Sequence, residues 1–240
     1  MAVVLHPASS RGYANHGWLE ANHSFSFARF VDRTKMNFGL LRVLNDDRIA
    51  PNMGFGTHPH DNMEIITIPL SGVLKHKDSM DEVWKTVEAG EVQVMSAGTG
   101  IFHSEMNASS QDDLTLFQIW IFPDRQGVKP RYDQRHFTSA DLGELQVLVE
   151  SMDDFSSEDS LKIYQNAQIS RLNLNAGQSF QYQLKSEANG VYVMQVSGCS
   201  EVGKQVLDRR DALGIWEVPS FDIHAKDTAQ LLFIEVPMGL

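Results

Sequence analysis

Four residues in the first half of the chain stand at a spacing that suits a metal ion. They are His58 and His60, in Gly54-Phe55-Gly56-Thr57-His58-Pro59-His60, and His103 and Glu105, in Met95-Ser96-Ala97-Gly98-Thr99-Gly100-Ile101-Phe102-His103-Ser104-Glu105. Each pair is spaced i, i+2. In an extended strand that spacing puts both side chains on one face, because successive residues alternate sides. Two strands that each turn such a pair inward would gather three imidazoles and one carboxylate around a single ion. That donor set suits iron, nickel, copper or zinc better than calcium or magnesium, and the lack of a thiolate gives no preference for copper(I). Four protein ligands on an octahedral ion leave two adjacent positions open for a chelating substrate or dioxygen, as in non-haem iron oxygenases. The expected cofactor is one divalent transition metal ion, and the donor set by itself does not separate Fe(II), Cu, Ni, Zn, Co and Mn.

The fourth ligand is a choice between two carboxylates. Glu64 lies four residues after His60 and shares its parity if the strand runs unbroken, but Asp61-Asn62 can interrupt it. Glu105 sits two residues from His103 and is preferred; Glu64 is then a group that orients a histidine from behind. The remaining histidines, His6, His16, His23, His76, His136 and His224, stand alone and are read as ordinary polar residues.

The elements that must position these groups read as short strands. Ser24–Ala28 alternates small or polar with aromatic residues, and Phe38–Leu44 is mostly apolar before a turn at Asn45-Asp46-Asp47. Met63–Leu70 and Val73–His76 flank Ser71-Gly72, and Val83–Val87 and Glu91–Met95 flank Ala89-Gly90, so two hairpins are expected. Leu114–Phe122 is the strongest strand signal, ended by Pro123, whereas Arg11–Trp18 reads as loop. After a polar stretch at Pro130–Leu142 that reads as a linker, strands resume at Leu145–Val149, Leu161–Tyr164, Ser170–Leu174, Phe180–Leu184, Val191–Val196, Gly214–Val218 and Leu231–Val236. The acidic, serine-rich Asp153–Ser160 reads as an exposed loop. Strands at this spacing, with turn signals between them and almost no helical periodicity, predict an all-β sandwich or barrel in two modules.

Composition narrows the function classes. The chain has 240 residues and a net charge of −11, which argues against a direct nucleic-acid surface. Residues 1–140 carry 13 Lys+Arg against 16 Asp+Glu, and residues 141–240 carry 7 against 15, so the acidity lies mainly in the second part. Eight of the nine histidines fall in the first part. The single Cys199 excludes an internal disulfide and a cysteine-built zinc cluster. No apolar run reaches the roughly eighteen residues of a membrane span, and the apolar start Met1–Leu5 has no basic leader, so a cytoplasmic protein is expected.

Gly56-Thr57-His58-Pro59-His60 with Glu64, then Gly90, Gly98, His103 and Asn107, resembles the two motifs of the cupin superfamily. Longer strings resemble the pirin family within it: Arg11-Gly12 through His16-Gly17-Trp18-Leu19, Ser24–Ala28, Leu41–Asp47, Gly54–His60, and Met95–Gly100 with His103-Ser104-Glu105. Ser96 stands where a proline is common in cupins at large, and pirins share that serine. The resemblance is dense over roughly residues 11–135. It implies a bicupin of two tandem β-barrels, residues 1–135 forming the metal-binding barrel and residues 136–240 a degenerate one without ligands. It also implies that the ligands are His58, His60, His103 and Glu105, and that Glu64, a ligand in many other cupins, is not one here.

Two functions follow from that resemblance. In the first, the protein is a dioxygenase that opens the heterocycle of a flavonol such as quercetin with O2 and releases carbon monoxide, with Glu105 as general base for the flavonol hydroxyl. In the second, it is an iron-dependent regulatory module, read by a protein partner such as a transcription factor, with no turnover of a small molecule. A third and duller expectation is a purely structural ion. The space above the ion separates the first two: an open apolar pocket favours the enzyme, a sealed one the module. Replacing His58 or His103 by alanine is expected to abolish loading without unfolding the β-core. Loading is further expected to fail as pH drops through the imidazole range near ~6.5.

Overall fold

The computed structural model describes residues 1–139 and 141–239, so Ala140, in the stretch read as a linker, lies outside the described residues. Those residues form strands joined by turns, with one short 3-10 turn at Ala8–Ser10. In chain order the strands are β1 (Ala2–His6), β2 (Gly12–Asn15), β3 (Leu19–His23), β4 (Leu41–Ile49), β5 (Gly54–His60), β6 (Glu64–Ser71), β7 (Val73–Asp78), β8 (Lys85–Glu88), β9 (Glu91–Ser96), β10 (Ile101–Asn107), β11 (Leu114–Ile121) and β12 (Arg131–His136). They continue as β13 (Gln146–Ser151), β14 (Leu161–Ile163), β15 (Gln168–Leu174), β16 (Ser179–Gln183), β17 (Asn189–Ser197), β18 (Ser200–Val202), β19 (Gln205–Leu207), β20 (Ala212–Trp216), β21 (Ser220–Ala225) and β22 (Ala229–Pro237). No helix among the described residues is long and apolar enough to cross a membrane.

The strands form two sandwiches of the same plan. In the first, a seven-stranded sheet ordered β12-β9-β6-β11-β4-β3-β2 faces a four-stranded sheet ordered β5-β10-β7-β8. In the second, seven strands ordered β1-β20-β17-β22-β15-β13-β14 accompany four ordered β16-β21-β18-β19. The all-β bicupin architecture is therefore what the molecule has. The two large sheets share an apolar core, with Ile66, Phe117 and Ile119 on one side and Leu148, Ile169, Tyr192 and Leu232 on the other. β1 closes the second large sheet by pairing antiparallel with β20, in the place that β12 takes beside β9 in the first.

Several local readings change. The glycines at 72 and 90 do turn the chain, with φ of 81° and 97°. Neither makes a hairpin, however: β6 and β9 belong to the large sheet, β7 and β8 to the small one, so each turn is a corner between sheets. Asn45-Asp46-Asp47 is not a turn but the middle of β4, because Asn45 and Asp47 face a polar interior. Ser24–Ala28 is no strand apart from an isolated bridge between Phe27 and Phe30; the Ser26 hydroxyl donates to the Asp32 carbonyl and accepts from the Asp32 N–H, folding the segment on itself. Within the segments read as loop and linker, Gly12–Asn15 and Arg131–His136 pair as edge strands.

Inside the first sandwich the apolar residues split into two small groups. One contains Leu19, Ile49, Leu74 and Leu116, the other Ile65, Met95, Ala97 and Ile101. Between them the inward positions are polar, including Asn45, Asp47, Gln118, His76, His103 and Glu105, all buried. Strand alternation thus lays a polar belt across the middle of the barrel.

Candidate metal centre and substrate cavity

β5 and β10 lie antiparallel, with His58 opposite His103 and His60 opposite Ile101. The register slips between His103 and Glu105, since Phe55 is opposite Glu105 and β5 carries one extra residue there. Gly54 makes this approach possible. A Cβ on it would come within 2.2 Å of the Glu105 carbonyl oxygen and 2.4 Å of Met106 Cα. Gly56, two residues on, has open space where its Cβ would be.

The three imidazoles converge. Ring centroids are 4.9 Å apart for His58 and His60, 4.4 Å for His58 and His103, and 4.8 Å for His60 and His103. One ligand atom from each lies within 4.8 Å of those of the others. The His58 Nδ1–H donates to the Gly56 carbonyl at 2.8 Å, which leaves its Nε2 lone pair facing inward. His58 Nε2 and His103 Nε2 are 2.9 Å apart.

Glu105 is not within that three-histidine group, but it lines the same cavity. Gln118 Nε2 donates to its Oε2 at 2.6 Å, Thr67 lies beside the carboxyl, and the buried Oε1 makes no hydrogen bond of ordinary geometry among the described residues. An unpaired, buried carboxylate oxygen is costly unless something accepts its charge, so this orphan and the three converging imidazoles fit a divalent transition metal. Glu64 points elsewhere. Its Oε2 accepts from Ser96 Oγ at 2.7 Å, and it is no part of the cavity wall.

Burial sets the protonation states. It drives His103 down to about 2, with His58, His60 and His76 as further neighbours, and His60 down to about 4, with His58 next. These rings stay neutral far below the ~6.5 of a free imidazole, so that threshold does not carry over to them. Burial pushes Glu105 up to about 7 against the donation from Gln118, and Asp47 up to about 8, with Asp46 and Glu105 adding to it.

The site opens into a cavity of about 470 Å³. This is within the usual range for small-molecule sites, ~300–1,000 Å³. Aromatic walls come from Trp18, Phe27, Phe55 and Trp120; polar groups come from His23, Asn45, Asp47 and Gln118. Trp120 meets His60 edge-on at 4.8 Å, Phe27 packs on Trp120 at 5.4 Å, and His23 Nδ1 bonds Asn45 Oδ1 at 2.8 Å.

Sequence reasoning missed one neighbour. His76 is fully buried, its Nε2 is 3.2 Å from His103 Nδ1, and its ring stacks on Tyr132 at 5.0 Å. Its signal was available: His76 and Asp78 form a third i, i+2 pair, on β7, which adjoins β10. Of the other histidines read as ordinary, His23 lines the cavity, while His6 is paired with Tyr192 at 2.9 Å and His224 with Ser179 at 3.0 Å.

Known proteins resemble this chain in sequence and fold. The family described as Pirin matches residues 5–121, and the family described as Quercetinase C-terminal cupin domain matches residues 148–236. The chain is 41% identical to a protein of Escherichia coli K12 named quercetin 2,3-dioxygenase, over 98% of this chain and 99% of the relative. It is 40% identical to a pirin-like protein of Caulobacter vibrioides, over 95% of this chain and 97% of the relative. A crystal structure of the bacterial pirin YhhW from Escherichia coli in complex with nickel(II) superimposes with a TM-score of 0.91 at 40% identity, covering 98% and 99% of the two chains. By its sequence, its paired sandwiches and its relatives, this chain belongs to the pirin family of the cupin superfamily.

Proposed function

We propose that this pirin is a metal-dependent dioxygenase that opens the heterocycle of a flavonol such as quercetin with O2 and releases carbon monoxide. His58, His60, His103 and Glu105 hold the ion, with iron(II) the first choice and nickel(II), bound by the similar Escherichia coli pirin, a close second. The observation that carries the reading is the cavity of about 470 Å³ in front of the three histidines. A sealed site would have favoured a regulatory module instead.

Held by His58, His60, His103 and Glu105, an ion would supply Lewis acidity that lowers the pKa of a chelating hydroxyl. The protein's own groups do the rest. Glu105, while ligated or after swinging off the ion, takes the flavonol hydroxyl proton, and Gln118 holds its Oε2 at 2.6 Å. Trp18, Phe27, Phe55 and Trp120 offer flat apolar surfaces to a planar three-ring substrate and keep water off it. Asn45 and Asp47 supply polar contacts on the same wall.

The test supplies quercetin aerobically to protein reconstituted separately with Fe, Cu, Ni, Co and Mn. The expected result is consumption of quercetin and O2 with release of carbon monoxide for at least one ion. No turnover with any of them overturns the proposal.

A further inference from the structure

Four groups stand in line behind the candidate metal centre: His58, His103, His76 and Asp78. The contacts are 2.9 Å between His58 Nε2 and His103 Nε2, 3.2 Å between His103 Nδ1 and His76 Nε2, and 3.8 Å between His76 Nδ1 and Asp78 Oδ2. The last contact is too long for a hydrogen bond. Both of its atoms are buried, and neither has any other partner among the described residues. Two such orphans facing each other in the interior require an explanation.

Tautomer bookkeeping supplies one. The Gly56 carbonyl can only accept, so His58 carries its proton on Nδ1 and presents a lone pair at Nε2. With no ion between them, a neutral His103 must then donate from Nε2 to His58. Its Nδ1 becomes an acceptor, filled by the Nε2–H of His76. A neutral His76 then turns a lone pair toward Asp78 Oδ2, and two acceptors that face each other stay apart. With an ion on both inward Nε2 atoms the direction reverses. His103 must carry its proton on Nδ1 and donate to His76 Nε2, so His76 carries its own on Nδ1, where it can donate to Asp78.

We infer that His76 and Asp78 are positioning residues for the candidate metal ligand His103, and that metal loading switches the tautomers of His103 and His76 so that the orphaned His76–Asp78 contact becomes a hydrogen bond. The inference rests on the reading of His58 and His103 as ligands. Protons balance. On each ring one leaves Nε2 and one arrives at Nδ1, and neither ring changes charge. The His76 Nε2 proton passes to His103 Nδ1, the His103 Nε2 proton leaves through the cavity, and one proton enters from solvent at His76 Nδ1. The route inferred for that proton runs past the Asp78 carboxylate, which lines a depression of about 150 Å³ with Lys77, Ser79, Glu82 and His103. Asp78 Oδ1 is held by the Met80 N–H at 2.8 Å, which fixes the carboxylate for this role. Ligand histidines held by a further hydrogen-bonded group bind more tightly, typically by ~10–100-fold.

The test is imidazole nitrogen NMR on the whole protein, metal-free and loaded with diamagnetic zinc. His76 is expected to carry its proton on Nε2 without zinc and on Nδ1 with it. Zinc binding with no change of tautomer at His76 overturns the inference alone. Failure of zinc, nickel and iron(II) to bind at all overturns the ligand assignment and this inference with it. A second measurement uses metal Kd from competition with a chromophoric chelator. His76→Phe keeps the stack on Tyr132 but has no acceptor, and is expected to weaken binding by ~10–100-fold. His76→Gln keeps an acceptor and is expected to recover most of that loss. Equal Kd for the wild type and His76→Phe overturns the positioning role.

Discussion

In the first sandwich β5 carries His58 and His60 and its neighbour β10 carries His103 and Glu105. In the second, the strands in the same places, β16 and β21, carry Phe180 and Tyr182, and Phe221 and Ile223. The sheet orders agree strand for strand, so the plan does not decide where chemistry can occur. The inward side chains decide it. Tyr182 stacks on Phe221 at 5.3 Å and on Phe233 at 4.8 Å, and with Leu172, Val193, Leu213 and Ile223 they fill the second interior as one apolar cluster. The first interior breaks its apolar core into two small groups and gives the middle to polar residues. One barrel spends its interior on stability and the other on a site. The shared core between the large sheets, with the Asp46 carboxylate bridging Arg11 at 3.0 Å and Arg210 at 2.9 Å, lets the filled barrel support the hollow one.

The comparison breaks most sharply if the hollow barrel holds a metal by some other set of residues. His103→Ala is expected to reduce bound metal from one ion per chain to none. Its circular dichroism is expected to remain that of the wild type, because the apolar clusters do not include His103. Elemental analysis after reconstitution checks the first part. Full occupancy in this variant would remove His103 from the ligand set.

Glu105→Gln tests the base. Gln keeps the shape but neither the charge nor the basicity, so turnover of quercetin is expected to fall by ~10²–10⁴, the usual worth of a general base. Steady-state kinetics on the variant, corrected for metal content, checks it. Unchanged kcat would place the base elsewhere on the wall, with Asp47 the next carboxylate to test.

Tyr182→Ala opens the filled barrel. Removing a large buried aromatic costs about 3–5 kcal/mol, the range for such truncations, because the surroundings collapse only partly. Urea unfolding should show that loss with metal affinity unchanged, since no candidate ligand touches Tyr182. A parallel fall in affinity would mean that the barrels are coupled through their shared core.

The same contrast explains what could be read in advance. The convergence of His58, His60 and His103, with Glu105 on the wall of the same cavity, is legible because strand parity is strict and the i, i+2 spacing repeats on two strands. His76-x-Asp78 obeys the same rule, but only the pairing of β7 with β10 brings it behind His103. Asn45-Asp46-Asp47 misled because a run of polar residues normally marks a turn; inside a barrel with a polar belt it is ordinary strand. The corners at Gly72 and Gly90 resembled hairpins because a glycine turn carries no information about which sheet the next strand joins. The pairing of β1 with β20 had no local signal at all, since the partners Ala2 and Trp216 lie at opposite ends of the chain.

Glu64 offers the gentlest test, because it asks whether the first barrel's buried carboxylates are interchangeable. It is 1% exposed, held by Ser96 Oγ at 2.7 Å, and burial pushes it up to about 7. A carboxyl whose folded pKa is raised contributes stability that is fully present below its unfolded value and is lost as pH rises through the folded one. From pH ~4.5 to ~7 the unfolded chain releases this proton while the folded chain keeps it, so wild-type stability falls relative to a neutral substitute. Glu64→Gln keeps an oxygen to accept from Ser96 and removes the ionisation. Its stability advantage over the wild type is expected to grow from near zero at pH 4.5 to on the order of 3 kcal/mol above pH 7, from roughly 2.5 pKa units at ~1.4 kcal/mol each. Metal content is expected to stay at the wild-type level. A loss of metal in this variant would return Glu64 to the ligand set. A stability difference that does not change with pH would mean that its carboxyl is not the buried acid described.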